Sequence, residues 1–344
     1  MNSIQPTQLA RVEPEVAQST RRLPNFVLTN EFGLLILIIA FAILFSLQNE
    51  NFLSRFNLFA LSRNLAIYAL VGMAMMAVIV TGGLNLAIGA IGVCAAMLFG
   101  WTNQVVGLHW SVSVVLGLSL ATALGAVNGW LVVKTGIHSF VITLATMSIF
   151  FGLMVFMTQA QSFRGLSPEV INFGKSKILN SFSPLLLMAI VAGVMLSTMY
   201  KFTALGREML AAGATPEAAE LSGVSVGRTF MYCHMLSAFL AGFTALLLTS
   251  RYGAAIPSMA GQLGQDWLLP AFLGPVLGGT ILTGGRVSVL GTFLGATLVV
   301  TLTNGLLMLQ VGEFWVQTVL GVLLLLAVLG DKARRHYLMQ RGLA

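Results

Sequence analysis

Lys201–Arg228 reads KFTALGREMLAAGATPEAAELSGVSVGR and is the longest markedly hydrophilic run in an otherwise apolar chain. It carries three basic residues (Lys201, Arg207, Arg228) and three acidic ones (Glu208, Glu217, Glu220), in a protein where only 8% of residues are charged. Apolar segments long enough to cross a bilayer flank it, Pro184–Tyr200 before and Thr229–Thr249 after. The run is therefore a loop at a membrane surface. Its pattern is helical from Pro216: proline suits a first turn, Thr215 stands at the N-cap, and Glu217 and Glu220 are favoured by the helix dipole. Ala218 and Ala219 give a small, closely packing face, and Gly223 supplies a stop. Helix physics alone leaves two readings open, a face that docks into a groove on a partner and an ordinary solvated loop.

Working outward, the chain has 344 residues, 57% of them hydrophobic, and a mean hydropathy of +0.90. Soluble domains average about 25% charged residues, so this chain has too little polar surface to wrap a globule in water. Ten runs read as transmembrane helices: Phe32–Leu47, Leu65–Val80, Leu84–Asn103, Ser111–Val133, Ser139–Gln159, Pro184–Tyr200, Thr229–Thr249, Trp267–Leu282, Val287–Leu309 and Phe314–Gly330. The expected fold is all-α, a polytopic transmembrane bundle of about ten spans. Of 18 Lys and Arg, six (Arg55, Arg63, Arg164, Lys175, Lys177, Arg251) fall on one side and the other twelve on the side of both termini. Excess positive charge marks the cytoplasmic side, so both termini and the 201–228 loop are expected there. The same asymmetry accounts for the net charge of +7 without nucleic acid. The organisation follows: a cytoplasmic tail over residues 1–31, a transmembrane domain over 32–330 and a second tail over 331–344. Ala160–Ser183 reads as an irregular external loop with a short interfacial helix.

Two glycine-rich stretches interrupt the spans, Thr81-Gly82-Gly83-Leu84-Asn85-Leu86-Ala87-Ile88-Gly89 and Thr283-Gly284-Gly285-Arg286-Val287-Ser288-Val289-Leu290-Gly291. Glycine pairs in a membrane mark broken helix or very close packing, and broken helix at depth lies in protein or beside a watery cavity. The span count puts both stretches at one membrane face, which an inverted repeat does not predict.

Several chemistries are missing. No phosphate-gripping G-x-x-x-x-G-K-[ST] occurs, and His109, His138, His234 and His336 have no metal-ligand spacing. Cys94 and Cys233 read as buried small hydrophobes. The spans are almost free of ionisable residues, with Asp266, Arg286 and Glu313 read at their ends, so no proton or sodium relay is evident. If the chain moves a solute uphill, the energy is then expected from another protein. A membrane enzyme acting on lipid would need a polar cluster such as Asp266 with Arg286, which the assigned topology separates. A self-sufficient secondary transporter stands as the other alternative.

The sequence resembles the permease subunits of bacterial ABC importers, in their ribose-type sugar branch. Gly206, Arg207, Ala211, Gly213, Ala218, Ala219 and Gly223 resemble that branch's coupling loop, with Thr215 where Asn is usual. Thr81–Gly89 is similar to its T-G-G-I-D-L-S-x-G signature, with Asn85 for Asp and Ala87 for Ser. Asn128-Gly129 with Ser139–Met147, and Gly278–Thr280 through Gly284-Gly285, Gly291-Thr292 and Asn304-Gly305, match further motifs in order. The resemblance covers roughly residues 60–330. It implies a non-enzymatic subunit importing a monosaccharide, or another small solute such as a nucleoside or amino acid, by alternating access. It also implies a multi-pass location in the bacterial cytoplasmic (inner) membrane, a cytoplasmic ATPase that carries the ATP and magnesium, and no cofactor bound by this chain. Further implied partners are a periplasmic or lipid-anchored solute-binding protein and a second permease, identical or related. On this resemblance Arg207, Gly213, Glu217, Ala218, Ala219 and Gly223 are expected to couple to the ATPase. Thr81, Gly82, Gly83, Asn85, Asn128, Ser139, Thr143 and Asn304 are expected along the translocation pathway, as neutral groups suited to an uncharged polyol.

Overall fold

A backbone in hydrocarbon must pair its polar groups within itself, and the apolar runs of this chain do so as helices. A computed structural model describes the backbone of residues 30–340 and the side chains of residues 31–329. The expected tails over 1–31 and 331–344, with the positive charges that set both termini on the cytoplasmic side, lie almost wholly outside the described side chains. In chain order the helices are α1 (Asn30–Gln48), α2 (Arg55–Ile79), α3 (Ile88–Gln104), α4 (Trp110–Thr135) and α5 (Ser139–Thr158). There follow α6 (Pro168–Lys175), α7 (Pro184–Phe202), α8 (Ala204–Ala214), α9 (Pro216–Leu221) and α10 (Val226–Tyr252). A 3-10 turn over Gln262–Trp267 leads into α11 (Leu268–Leu277), and α12 (Val289–Met308) and α13 (Glu313–Gln340) complete the chain. Among the described residues no strand forms, only isolated bridges such as Phe163 with Ala255.

Among the described residues, seven helices are long and apolar enough to cross a bilayer: α1 from Glu31, α2, α4, α5, α7, α10 and α12. The remaining three of the ten expected segments carry shorter helices. α3 has 17 residues and α11 has 10, and the apolar part of α13 is Glu313–Leu329. Two boundaries move for a physical reason. The span expected from Leu84 becomes helical only at Ile88, and the span expected from Trp267 to Leu282 stops at Leu277 after a left-handed entry. In both places side chains or neighbouring backbone supply the partners that a helix would otherwise provide.

α2 and α3 form the centre. The hydropathic window of α2 is 83% buried, against 11% for α1, so α2 is core and α1 rim. α7, α10, α11 and α12 surround α2, while α4, α5 and α10 surround α3. Small residues set the helix spacing. A Cβ at Gly125 would meet Ala238 and the His234 carbonyl, and one at Gly129 would lie 2.8 Å from Met231 Cα. Large apolar side chains on α1, α5 and α7, such as Ile43, Phe156 and Met195, point outward, as a lipid-facing rim requires. Cys94 and Cys233 are buried and unpaired with each other. Glu31, read as the end of the tail, instead opens α1 and accepts a hydrogen bond from Ser288 Oγ at 2.9 Å.

Candidate functional site: a backbone junction beneath the α8–α9 loop

The two T-G-G stretches, 202 residues apart in sequence, meet in space. The Gly285 N–H donates to the Val80 carbonyl at 2.8 Å. A Cβ at Gly82 would stand 3.0 Å from the Thr283 carbonyl oxygen, and one at Gly284 would stand 2.7 Å from the Gly213 oxygen and 2.8 Å from the Gly82 nitrogen. Gly82, Gly284 and Gly285 hold φ values of 73°, 93° and 78°, the left-handed region that glycine enters without strain. Gly213, from α8, closes the junction: a Cβ there would collide with the Val80 carbonyl oxygen. Three backbones therefore touch with no room for a side chain between them.

The rest of the loop faces away. Arg207, Glu217, Ala218 and Gly223 are exposed, whereas Gly213 and Ala219 are buried. α9 starts at Pro216 as its local chemistry dictates, but the Thr215 side chain makes no capping hydrogen bond. The stop at Gly223 (φ 86°) is a Schellman closure: Val224 N–H donates to Ala219 O at 3.0 Å and Gly223 N–H to Glu220 O at 2.9 Å. Leu221 is 91% exposed at this tip. An isolated leucine in a polar loop gives little signal in the sequence.

Beyond Thr81 the chain is unwound from Leu84 to Ala87, and three side chains satisfy it. Ser139 Oγ accepts from Leu84 N–H at 2.8 Å, and Thr143 Oγ1 accepts from Leu86 N–H at 3.0 Å while donating to the Ser139 carbonyl at 2.7 Å. Asn85, fully buried, accepts from Ala87 N–H at 3.1 Å and donates to Ser237 Oγ at 3.0 Å. An asparagine can give and take at once, so no charge is needed here. Thr81 Oγ1 donates to the carbonyl of Val78 at 2.8 Å.

Beside this segment lies a cavity of about 380 Å³ between the ends of α2 and α4 and the starts of α5 and α10. Thr81, Gly82, Gly83 and Ser139 line it together with His138 and His234. His234 was scattered among histidines without pattern in the sequence. In the fold its Nδ1 lies 2.9 Å from the Phe230 carbonyl. A carbonyl only accepts, so Nδ1 carries the proton and Nε2 of the neutral ring is an acceptor. That Nε2 is buried and has no partner. Asn128, fully buried on the α4 face against α10, likewise has both side-chain atoms unpartnered. Asn304 is not brought to this site. It donates to Asn57 Oδ1 at 3.0 Å, and Asn57 stands in the first turn of α2, about 33 Å of helix away from Ile79.

A family model described as "Branched-chain amino acid transport system / permease component" matches residues 57–328. The ribose import permease protein RbsC of Bacillus subtilis is 35% identical over 305 residues, 88% of this chain and 91% of its own. The D-allose transport system permease protein AlsC of Escherichia coli is 31% identical, covering 86% of this chain and 90% of its own. The xylose transport system permease protein XylH of Escherichia coli is 29% identical, covering 89% and 92%. No solved structure matches. The motifs, the helical membrane architecture and these relatives converge: the chain belongs to the branched-chain amino acid transport system / permease component family, as a multi-pass transport subunit of the bacterial cytoplasmic membrane and not an enzyme.

Proposed function

We propose that the chain is the membrane-spanning permease of an ATP-driven ABC importer for a neutral monosaccharide. An ATPase docks on the cytoplasmic face of α8 and α9, a solute-binding protein delivers sugar at the opposite face, and a second permease, identical or related, completes the passage. The observation that carries the reading is the junction of Gly213 with Val80 and Gly285. A displacement of the docking loop moves the ends of α2 and of the 278–288 connection directly, because backbones rather than flexible side chains are in contact. ATP shifts the conformational balance insofar as it binds one arrangement better.

The choice of solute rests on the cavity. Its lining combines apolar side chains (Val132, Val133, Ile137, Val226 and Phe230) with hydroxyl, imidazole and backbone groups and has no Asp, Glu, Lys or Arg, whereas an amino acid brings a carboxylate and an ammonium that both need partners. The sugars named for the relatives, ribose, allose and xylose, are uncharged and fit such a lining. The test is uptake of labelled D-ribose, D-allose and D-xylose in cells with and without this chain, each challenged with unlabelled sugars and with leucine. Loss of sugar uptake on deletion, with no competition by leucine, is expected. Uptake that leucine alone displaces overturns the sugar assignment.

A further inference from the structure

The connection after α10 does not stay at the surface. Ala255 packs against Gly100 of α3, and Gly264 packs against Gly89 of the same helix. Those two glycines are eleven residues apart, so the chain descends about 16 Å along α3 between them. It does so without regular helix: Gly261, Leu263 and Gly264 have φ values of 76°, 56° and 79°. The Asp266 N–H closes the turn on the Ala260 carbonyl at 3.1 Å. Gly264 is compelled, since a Cβ there would stand 2.5 Å from Ala90 N. α11 then carries the chain onward from this depth.

The turn packs against α3, α5 and α11, yet three of its polar side chains, Gln262, Gln265 and Asp266, are exposed. None of the three makes a side-chain hydrogen bond or ion pair among the described residues. Asp266, read from sequence as a span-end residue, lies only a turn beyond the Gly264–Gly89 contact. Irregular backbone at membrane depth is tolerated where it borders protein or water, and a carboxylate facing lipid is costly. Unsealed by this chain, the three side chains are suited to a watery passage of the kind that a second permease completes, and not to lipid.

The geometry points to Gln262, Gln265 and Asp266 as a sugar-contacting station of the translocation pathway. The assignment rests on the proposed monosaccharide import. Its chemistry is direct: sugar hydroxyls both donate and accept, a carboxylate accepts, and each glutamine amide does both. The station holds the solute weakly, since the groups are open to water on one side.

The test uses the complete importer in cells. Gln262→Leu, Gln265→Leu and Asp266→Asn are each compared with wild type for uptake of labelled D-ribose, D-allose and D-xylose. The expected result is a fall in maximal rate of about tenfold for the leucine variants, with half-saturation, set by the binding protein, little changed. In parallel, Gln265→Cys is probed from outside with a charged, membrane-impermeant thiol reagent; Cys94 and Cys233 are buried and give little background. Labelling that slows when the imported sugar is present supports the station. Wild-type import with unlabelled Gln265→Cys and unimpaired leucine variants overturns it while the import function stands. Failure of wild type to import any of the three sugars overturns the function, and the sugar assignment of the station with it.

Discussion

The carbonyl oxygen of Val80, at the end of α2, accepts the N–H of Gly285 at 2.8 Å, and Gly213 of α8 lies directly against the same oxygen. One backbone atom thus joins the central helix, the connection before α12 and the loop proposed to meet the ATPase. Coupling through such a point needs no lever of side chains. It does need the glycines.

Gly213→Leu is expected to do two things at once. The added side chain has to displace the Val80 carbonyl, so the amount of folded permease falls, and uptake per molecule falls by more than about tenfold, or about 1.4 kcal/mol. Quantifying membrane-inserted protein alongside uptake checks both. Full uptake at normal protein levels would show that the junction opens freely.

The exposed face of the loop behaves differently. Glu217, Ala218 and Leu221 contribute little to the internal packing. Ala218→Trp and Leu221→Asp should therefore leave the permease at wild-type abundance and thermal stability while uncoupling the ATPase. Stability in detergent, measured by light scattering on heating, checks the first half of this expectation. A loss of stability equal to that of Gly213→Leu would place these residues in the fold rather than at a contact.

The unwound Leu84–Ala87 segment depends on two hydroxyls. Ser139→Ala or Thr143→Val leaves a backbone N–H without its partner, at a cost of about 1–3 kcal/mol each. Thr143→Ser keeps the acceptor and should be near neutral. Thermal midpoints of the three variants decide this, and equal midpoints for Thr143→Val and Thr143→Ser would remove the hydroxyl's role.

His234 lines the cavity, and its buried Nε2 is an acceptor that no residue of the protein uses. His234→Phe keeps the volume and removes the acceptor, so maximal uptake should drop about tenfold, a loss of the size of one hydrogen bond to a buried group. His234→Gln should recover part of it. Unchanged uptake for His234→Phe would leave the orphaned nitrogen without a transport role.

Local chemistry explains what was legible in the sequence. Pro216 and Gly223 bound a short helix by rules that act within a few residues, and α9 spans Pro216–Leu221 with its Schellman closure. Apolar runs located the helices for the same reason. The contact of Val80 with Gly285 was not legible, because two similar glycine motifs say nothing of whether they touch. Asn304 shows the opposite case: it belongs to a motif in the right order, yet it pairs with Asn57 at the far end of α2, away from the cavity at Thr81–Gly83. Asp266 was read at a span end because 253–266 has the composition of a surface loop. Its depth is set by Gly100 and Gly89 on another helix, and no local pattern carries that. A lone buried histidine such as His234 likewise has no sequence period to reveal it.

The most direct test of the account is a tagged purification of this chain from native membranes in mild detergent, with co-purifying proteins identified by mass spectrometry. The account predicts a P-loop ATPase in stoichiometric amount with the wild type, lost with Ala218→Trp and Leu221→Asp although the permease remains folded. A folded permease that emerges alone from wild-type membranes, and that moves sugar in liposomes without any ATPase, would contradict it.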